Sequence, residues 1–246
     1  MNINLFDITR ISNKRLFEND QLYCEGRERT HFRGWFHFLM CISFFPMLLS
    51  AYLYQFYYSD KTNISYISFI ACTANIIIIY VAHCISAYYH IKPLSLEDEI
   101  FFQKLDITGA NLYVASSYLP MSVVLPYGVS ALLLGFVSLL VGFNINGIIT
   151  SNYSMLQPAF ICTLQFIFGY YLYHSLNKTE IALNLIGIFS LIIGSAFLFN
   201  QWHVPLVDEA YFNYFEVYHG FSVICLITIC LMNYSIFKRT FTTNNN

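Results

Sequence analysis

The stretch AHCISAYYHIKPLSLEDEIFFQKLDITGANLYVASSYLP, from Ala82 to Pro120, decides how this chain folds. It leaves one apolar run through a polar stripe, turns through the densest charge cluster of the sequence, and enters the next apolar run with an aspartate. Two apolar runs joined by a charged turn predict a helical hairpin with its turn at a membrane boundary. On the first helix Ser86 and His90 are one turn apart and share a face, with His83 further along the same stripe. Asp106 opens the second helix, where the hairpin returns it toward His90. A hydroxyl, an imidazole and a carboxylate are thereby gathered at one level.

The rest of the composition agrees with that reading. Of 246 residues, 57% are hydrophobic and 11% charged, and the mean hydropathy is +0.54. Such values lie far from those of an ordinary globular domain and point to an all-α, polytopic membrane protein. A net charge of −2, with the basic residues gathered toward the N-terminus, leaves no patch for nucleic acid. The seven cysteines, Cys24, Cys41, Cys72, Cys84, Cys162, Cys225 and Cys230, form no CxxC pair and fall mostly inside apolar runs. Buried free thiols are expected, not a disulfide or zinc framework. The polar lead-in is unlike a cleavable signal peptide, so the first apolar run is expected to stay in the bilayer.

A helix crosses the hydrocarbon with roughly 20 apolar residues. On that measure the first span covers about 36–57 and the second about 64–90, the latter free of Asp, Glu, Lys and Arg. Asp106 to Lys178 encloses no charged residue. Pro120, Pro126 and Gly128 break that interval once, and the polar run from Asn144 breaks it again. Spans three to five are therefore placed at 106–124, 127–145 and 156–175, the sixth at 180–199 and the seventh at 212–236. The expected organisation is a cytoplasmic N-terminal segment over 1–35, a single seven-helix transmembrane bundle over 36–237, and a short tail over 238–246.

With seven spans, Arg10, Lys14, Arg15, Arg27, Arg29, Arg33, Lys92 and Lys104 fall on one side. Lys61, Lys178, Lys238 and Arg239 fall on the other. The excess of basic residues places the N-terminus in the cytoplasm. His90, Asp106, Glu216 and His219 then share one leaflet, and Glu216 and His219, three apart, share a helix face. Ionisable groups inside a membrane segment cost about 2.5–3.5 kcal/mol on insertion scales and normally face a bundle interior, a partner or water. Two explanations suit these residue types. Either the carboxylates reach to headgroup water while the histidines hydrogen-bond across helices, or the group is a metal or catalytic site. His37 and His174 read as ordinary interfacial histidines, and His203 as a spare ligand. Two imidazoles and a carboxylate suit zinc, leaving a fourth position for a water whose pKa falls toward about 7. Asp106 can position that water or accept its proton for attack on an amide or ester carbonyl.

The block Ser86-Ala87-Tyr88-Tyr89-His90, followed by Lys104-Leu105-Asp106, Gly109, Ser117 and Pro120, resembles the hemolysin III and progestin/adipoQ receptor family. Thr30, His31 and Gly34 are similar to the T-H-x-x-G that precedes that family's first helix. The resemblance implies seven helices, an inside N-terminus, and a Zn2+ site between the second, third and seventh. It matches His90 to a zinc ligand, Ser86 and Asp106 to the groups that hold a catalytic water, and His219 to the second histidine of H-x-x-x-H. Phe215 stands where the first histidine of that pair is expected. Either the adjacent Glu216 completes a His90, His219, Glu216 ligand set, or the site has been lost.

Two functions follow as expectations. The first is a zinc-dependent, ceramidase-like hydrolase of lipid amides whose membrane-lipid substrate enters sideways between helices. The second is a non-enzymatic, receptor-like or membrane-homeostasis protein in which the polar cluster is a structural clip. A pore is disfavoured, because no continuous polar face lines several helices.

Overall fold

The computed structural model gives the backbone of residues 30, 32, 34–150, 157–202 and 213–241, and their side chains except at 144, 145, 147–150 and 157–162. The described residues form helices joined by short connections, without a strand. In chain order the helices are α1 (Trp35–Tyr58), α2 (Asn63–Ile91), α3 (Leu96–Ser116), α4 (Tyr118–Ser122), α5 (Tyr127–Thr150), α6 (Gln157–Ser175), α7 (Lys178–Asn200) and α8 (Tyr214–Arg239). Four of these, α1, α2, α7 and α8, are long and apolar enough to cross a membrane. Most of the polar lead-in, and His203, lie outside the described residues.

Local chemistry sets the ends. Thr62 and Ser65 form a reciprocal cap at the start of α2: the Ser65 amide donates to Thr62 Oγ1 at 3.0 Å and the Thr62 amide to Ser65 Oγ at 2.8 Å. Pro93 drives Lys92 into an extended conformation, with ψ 131°, and α2 stops there. Ser95 then caps α3 by accepting from the Asp98 amide at 3.2 Å. Glu97, Asp98 and Glu99 occupy the first turn of α3, where the helix dipole favours negative charge. The charge cluster is thus part of a helix, the turn being only residues 92–95, and the third helix begins at Leu96, not at the expected 106. Residue 144 likewise does not end its helix, which runs on to Thr150. An Asn or Gly costs a helix interior about 1 kcal/mol or less, which is too little to stop an otherwise apolar segment. Within α1 the helix widens to a π turn over Met40–Phe44, just ahead of Pro46, whose missing N–H already interrupts the ladder.

Packing is tightest where side chains are smallest. A Cβ on Gly187 would lie 2.9 Å from Thr228 Oγ1, and one on Gly194 2.8 Å from Phe221 Cβ, so α7 and α8 pack almost backbone to backbone. Gly109 of α3 similarly faces Ala82 of α2, at 3.1 Å. Several polar groups face inward among the core side chains, and many large apolar groups face outward. Asn75 of α2 donates to Ser116 Oγ at 3.0 Å, and Asn233 of α8 donates to Asn75 Oδ1 at 3.4 Å and to the Ser117 carbonyl at 3.3 Å. Ile67, Ile70, Ile77, Leu132, Leu139, Phe189 and Ile193 meanwhile lie on the outer surface. Such an arrangement is compatible with a membrane protein, because a polar group facing hydrocarbon finds no partner there.

Candidate metal centre

Three helix ends meet at one end of the bundle: the start of α1, the end of α2 and the start of α8. The Ser59–Thr62 turn makes α1 and α2 antiparallel, which brings residue 37 to the level of residue 90. α1 begins at Gly34, whose φ of 73° is a left-handed conformation that glycine adopts without strain. Its missing side chain matters as much, because a Cβ there would stand 2.8 Å from His90 Cβ and 2.9 Å from Ile91 Cγ1. Thr30, just upstream, donates its hydroxyl to Glu216 Oε1 at 2.6 Å. Asn213 caps α8 by accepting from the Phe215 amide at 2.8 Å, so Glu216 and His219 project from its first turn and a half.

His37, His90 and His219 are all buried, and each offers a ring nitrogen such that the three lie within 4.8 Å of one another. The ring centroids are 4.8 Å apart for His37 and His219, 5.0 Å for His90 and His219, and 6.0 Å for His37 and His90. Two carboxylates flank the trio. Asp106 Oδ2 lies 3.5 Å from His90 Nε2, and Glu216 Oε2 lies 3.7 Å from His219 Nδ1. The Ser86 side chain stands beside the Asp106 carboxylate. His83 stands behind His37 at 5.0 Å between ring centroids and points its Nδ1 at the Ile79 carbonyl, 3.0 Å away. Since a carbonyl only accepts, Nδ1 of His83 carries the proton.

The arrangement fits a divalent cation. Both nitrogens of His37 are buried without a hydrogen-bond partner. A polar group buried in that state costs on the order of 2–7 kcal/mol, a penalty that coordination would remove. Neighbouring ligand nitrogens around tetrahedral zinc stand about 3.3 Å apart, given bonds of about 2.0–2.1 Å, so the three rings need only to draw together slightly. Three buried imidazoles by themselves do not select zinc over other borderline metals.

The structure thus brings His90, Asp106, Ser86, Glu216 and His219 to one spot, and adds His37. His37 is no interfacial histidine, because it is buried at the centre of the group. One signal in the sequence could have found it. If helices alternate direction, the start of the first helix lies at the same level as the end of the second, so residues 37 and 90 share a layer. Phe215 is part of the wall, its ring 4.4 Å from that of His219. His174 lies elsewhere, against Tyr170 and Tyr173. No protein-family model matches this chain, and no curated protein matches it with significant sequence similarity.

Proposed function

We propose that this protein is a membrane-embedded hydrolase of lipid amides that works with zinc held among His37, His90 and His219. The observation that carries the reading is a buried imidazole trio, with both nitrogens of His37 lacking a hydrogen-bond partner, flanked by two carboxylates at the end of a membrane-length helix. α2 has 29 residues and is about 43 Å long, at about 1.5 Å per residue. The hydrocarbon layer is about 30 Å thick, so His90, next to the last residue, lies near a headgroup boundary. The amide of a sphingolipid sits at that same depth. We read the bundle as seven spans, α3 and α4 forming one span interrupted at Ser117, with the N-terminus in the cytoplasm.

When bound, zinc would supply Lewis acidity, polarising the amide carbonyl and bringing the pKa of water down toward about 7. The chain's own residues do the rest. Asp106 is the more open of the two carboxylates, with 19% of its side chain exposed against 2% for Glu216. It is placed to take the proton of an attacking water and to return it to the leaving amine. Ser86, beside that carboxylate, is placed to steady it. Tyr113, Phe45 and Phe215 pack around His83, His90 and His219 and keep bulk water out.

The test is turnover of a fluorescent N-acyl sphingosine by the zinc-loaded protein in nanodiscs, measured as fatty acid released. Turnover by the wild type that is lost in a folded His90→Ala variant supports the reading; a fully active variant rejects it. A second reading, a metal-free structural clip in a receptor-like or membrane-homeostasis protein, is favoured by the phenyl ring of Phe215 against His219. It requires that chelation leave thermal stability unchanged.

A further inference from the structure

We infer that Glu216 is the orienting carboxylate of the centre and not a metal ligand: clamped by Thr30, it accepts the Nδ1 proton of His219 and turns Nε2 of that ring toward the metal. The inference rests on the metal reading above and concerns only how the chain supports it.

The two carboxylates at the site are held differently. Glu216 has one oxygen engaged by the Thr30 hydroxyl at 2.6 Å, and the other faces His219 Nδ1 at 3.7 Å. Both residues are almost wholly shielded, Glu216 exposed by 2% and Thr30 by 3%. Nδ1 of His219 has no other partner among the described residues. A neutral imidazole carries its proton on one nitrogen and offers a lone pair from the other, so the group that receives the proton decides which nitrogen can bind a metal. Ligating histidines usually donate their second N–H to a carboxylate or carbonyl, which fixes the tautomer and the ring plane. Glu216 is three residues before His219 on α8, the spacing that puts its carboxylate beside the ring.

Thr30 gives the clamp its direction. A glutamate on the first turn of a helix could swing in several rotamers. The threonine hydroxyl, brought in from ahead of α1, fixes one oxygen and leaves the other on His219. Gly34 lets that segment lie directly on His90, so a single stretch of chain sets both the Glu216 clamp and, three residues further on, the His37 ligand.

The experiment uses full-length protein in detergent, reconstituted with cobalt for its visible spectrum and with zinc for affinity by competition against a chromophoric chelator. The wild type should hold about one metal per chain. Glu216→Gln should keep that stoichiometry and the cobalt ligand-field bands, with zinc affinity weakened about 10- to 100-fold. Thr30→Val, which keeps the shape and removes the hydroxyl, should weaken affinity several-fold, and Thr30→Ser should restore it. Loss of the bound metal in Glu216→Gln as complete as in His219→Ala, with altered cobalt bands, would make Glu216 a ligand and overturn the inference. Wild-type affinity in both Glu216→Gln and Thr30→Val would overturn it as well. Helical circular dichroism and the melting temperature in excess chelator identify any variant that merely fails to fold. A wild type that takes up no metal would overturn the metal reading itself and the inference with it.

Discussion

At the end of the bundle where α7 begins, Glu180 is wholly buried, and its environment is closed. Arg239 Nη2 lies 3.1 Å from Glu180 Oε2, which also accepts from the Asn177 amide at 3.0 Å, and Ser235 donates to Oε1 at 3.0 Å. Arg239 also donates to the Ser175 carbonyl at 2.7 Å, so α6, α7 and α8 are tied together. At the opposite end, Glu216 and Asp106 are likewise held within the bundle, yet no lysine or arginine faces them among the interactions of the described residues. Their neighbours are imidazoles, some of whose nitrogens have no partner. A buried carboxylate that meets a fixed cation forms a clip. One surrounded by neutral ligands that still lack a partner forms a place for a cation to arrive.

The sharpest way to break that contrast is to remove a ring. His37→Ala should reduce zinc in purified protein from about one per chain to well under one, measured by inductively coupled plasma spectrometry, while helicity stays unchanged. Retention of full zinc would separate α1 from the site. Next in size, chelation of the wild type should lower unfolding stability by about 4 kcal/mol if free zinc had stood at about 1,000 times its Kd. Arg239→Ala should still respond to the chelator by the same amount.

Arg239→Ala should itself destabilise the fold by about 2–3 kcal/mol, measured by thermal or denaturant unfolding in detergent, with zinc content unaltered. Breaking a fully buried pair costs about 3–5 kcal/mol, and the side chain of Arg239 is 32% exposed, which lowers the expectation. The smallest effect belongs to Ser86→Ala, which removes the hydroxyl beside Asp106. A loss of about 1 kcal/mol in transition-state stabilisation, several-fold in kcat/KM, is expected, with no change in bound metal. A change in zinc stoichiometry there would move Ser86 into the metal's own surroundings.

The helices themselves were largely legible. Apolar length located most of the long ones to within a few residues, because burial in or against hydrocarbon needs little information beyond composition and run length. Boundaries failed where a local cap outweighed average polarity. Ser95, followed by Glu97, Asp98 and Glu99, starts α3 ten residues before Asp106, and the charges that look like a loop stabilise a helix N-terminus instead. The residues of α2 and α8 that meet at the site could be nominated from spacing, since Ser86 with His90 and Glu216 with His219 each lie on one helical face. His37 could not be found in this way. Its partners are 53 and 182 positions away in the chain, and nothing within its own helix marks it.

The order of apolar runs, the caps and the prolines thus determined by themselves that this is an all-helical chain with membrane-length helices and ionisable groups at one level. Those features depend on contacts within a few residues and on transfer between water and an apolar phase. Which imidazoles face one another, which carboxylate is clamped and which stays open, and where a glycine lets two backbones touch were decided only by tertiary structure. Each of these depends on the rotation of one helix against another, a quantity set by side-chain packing across the whole bundle and written in no single segment.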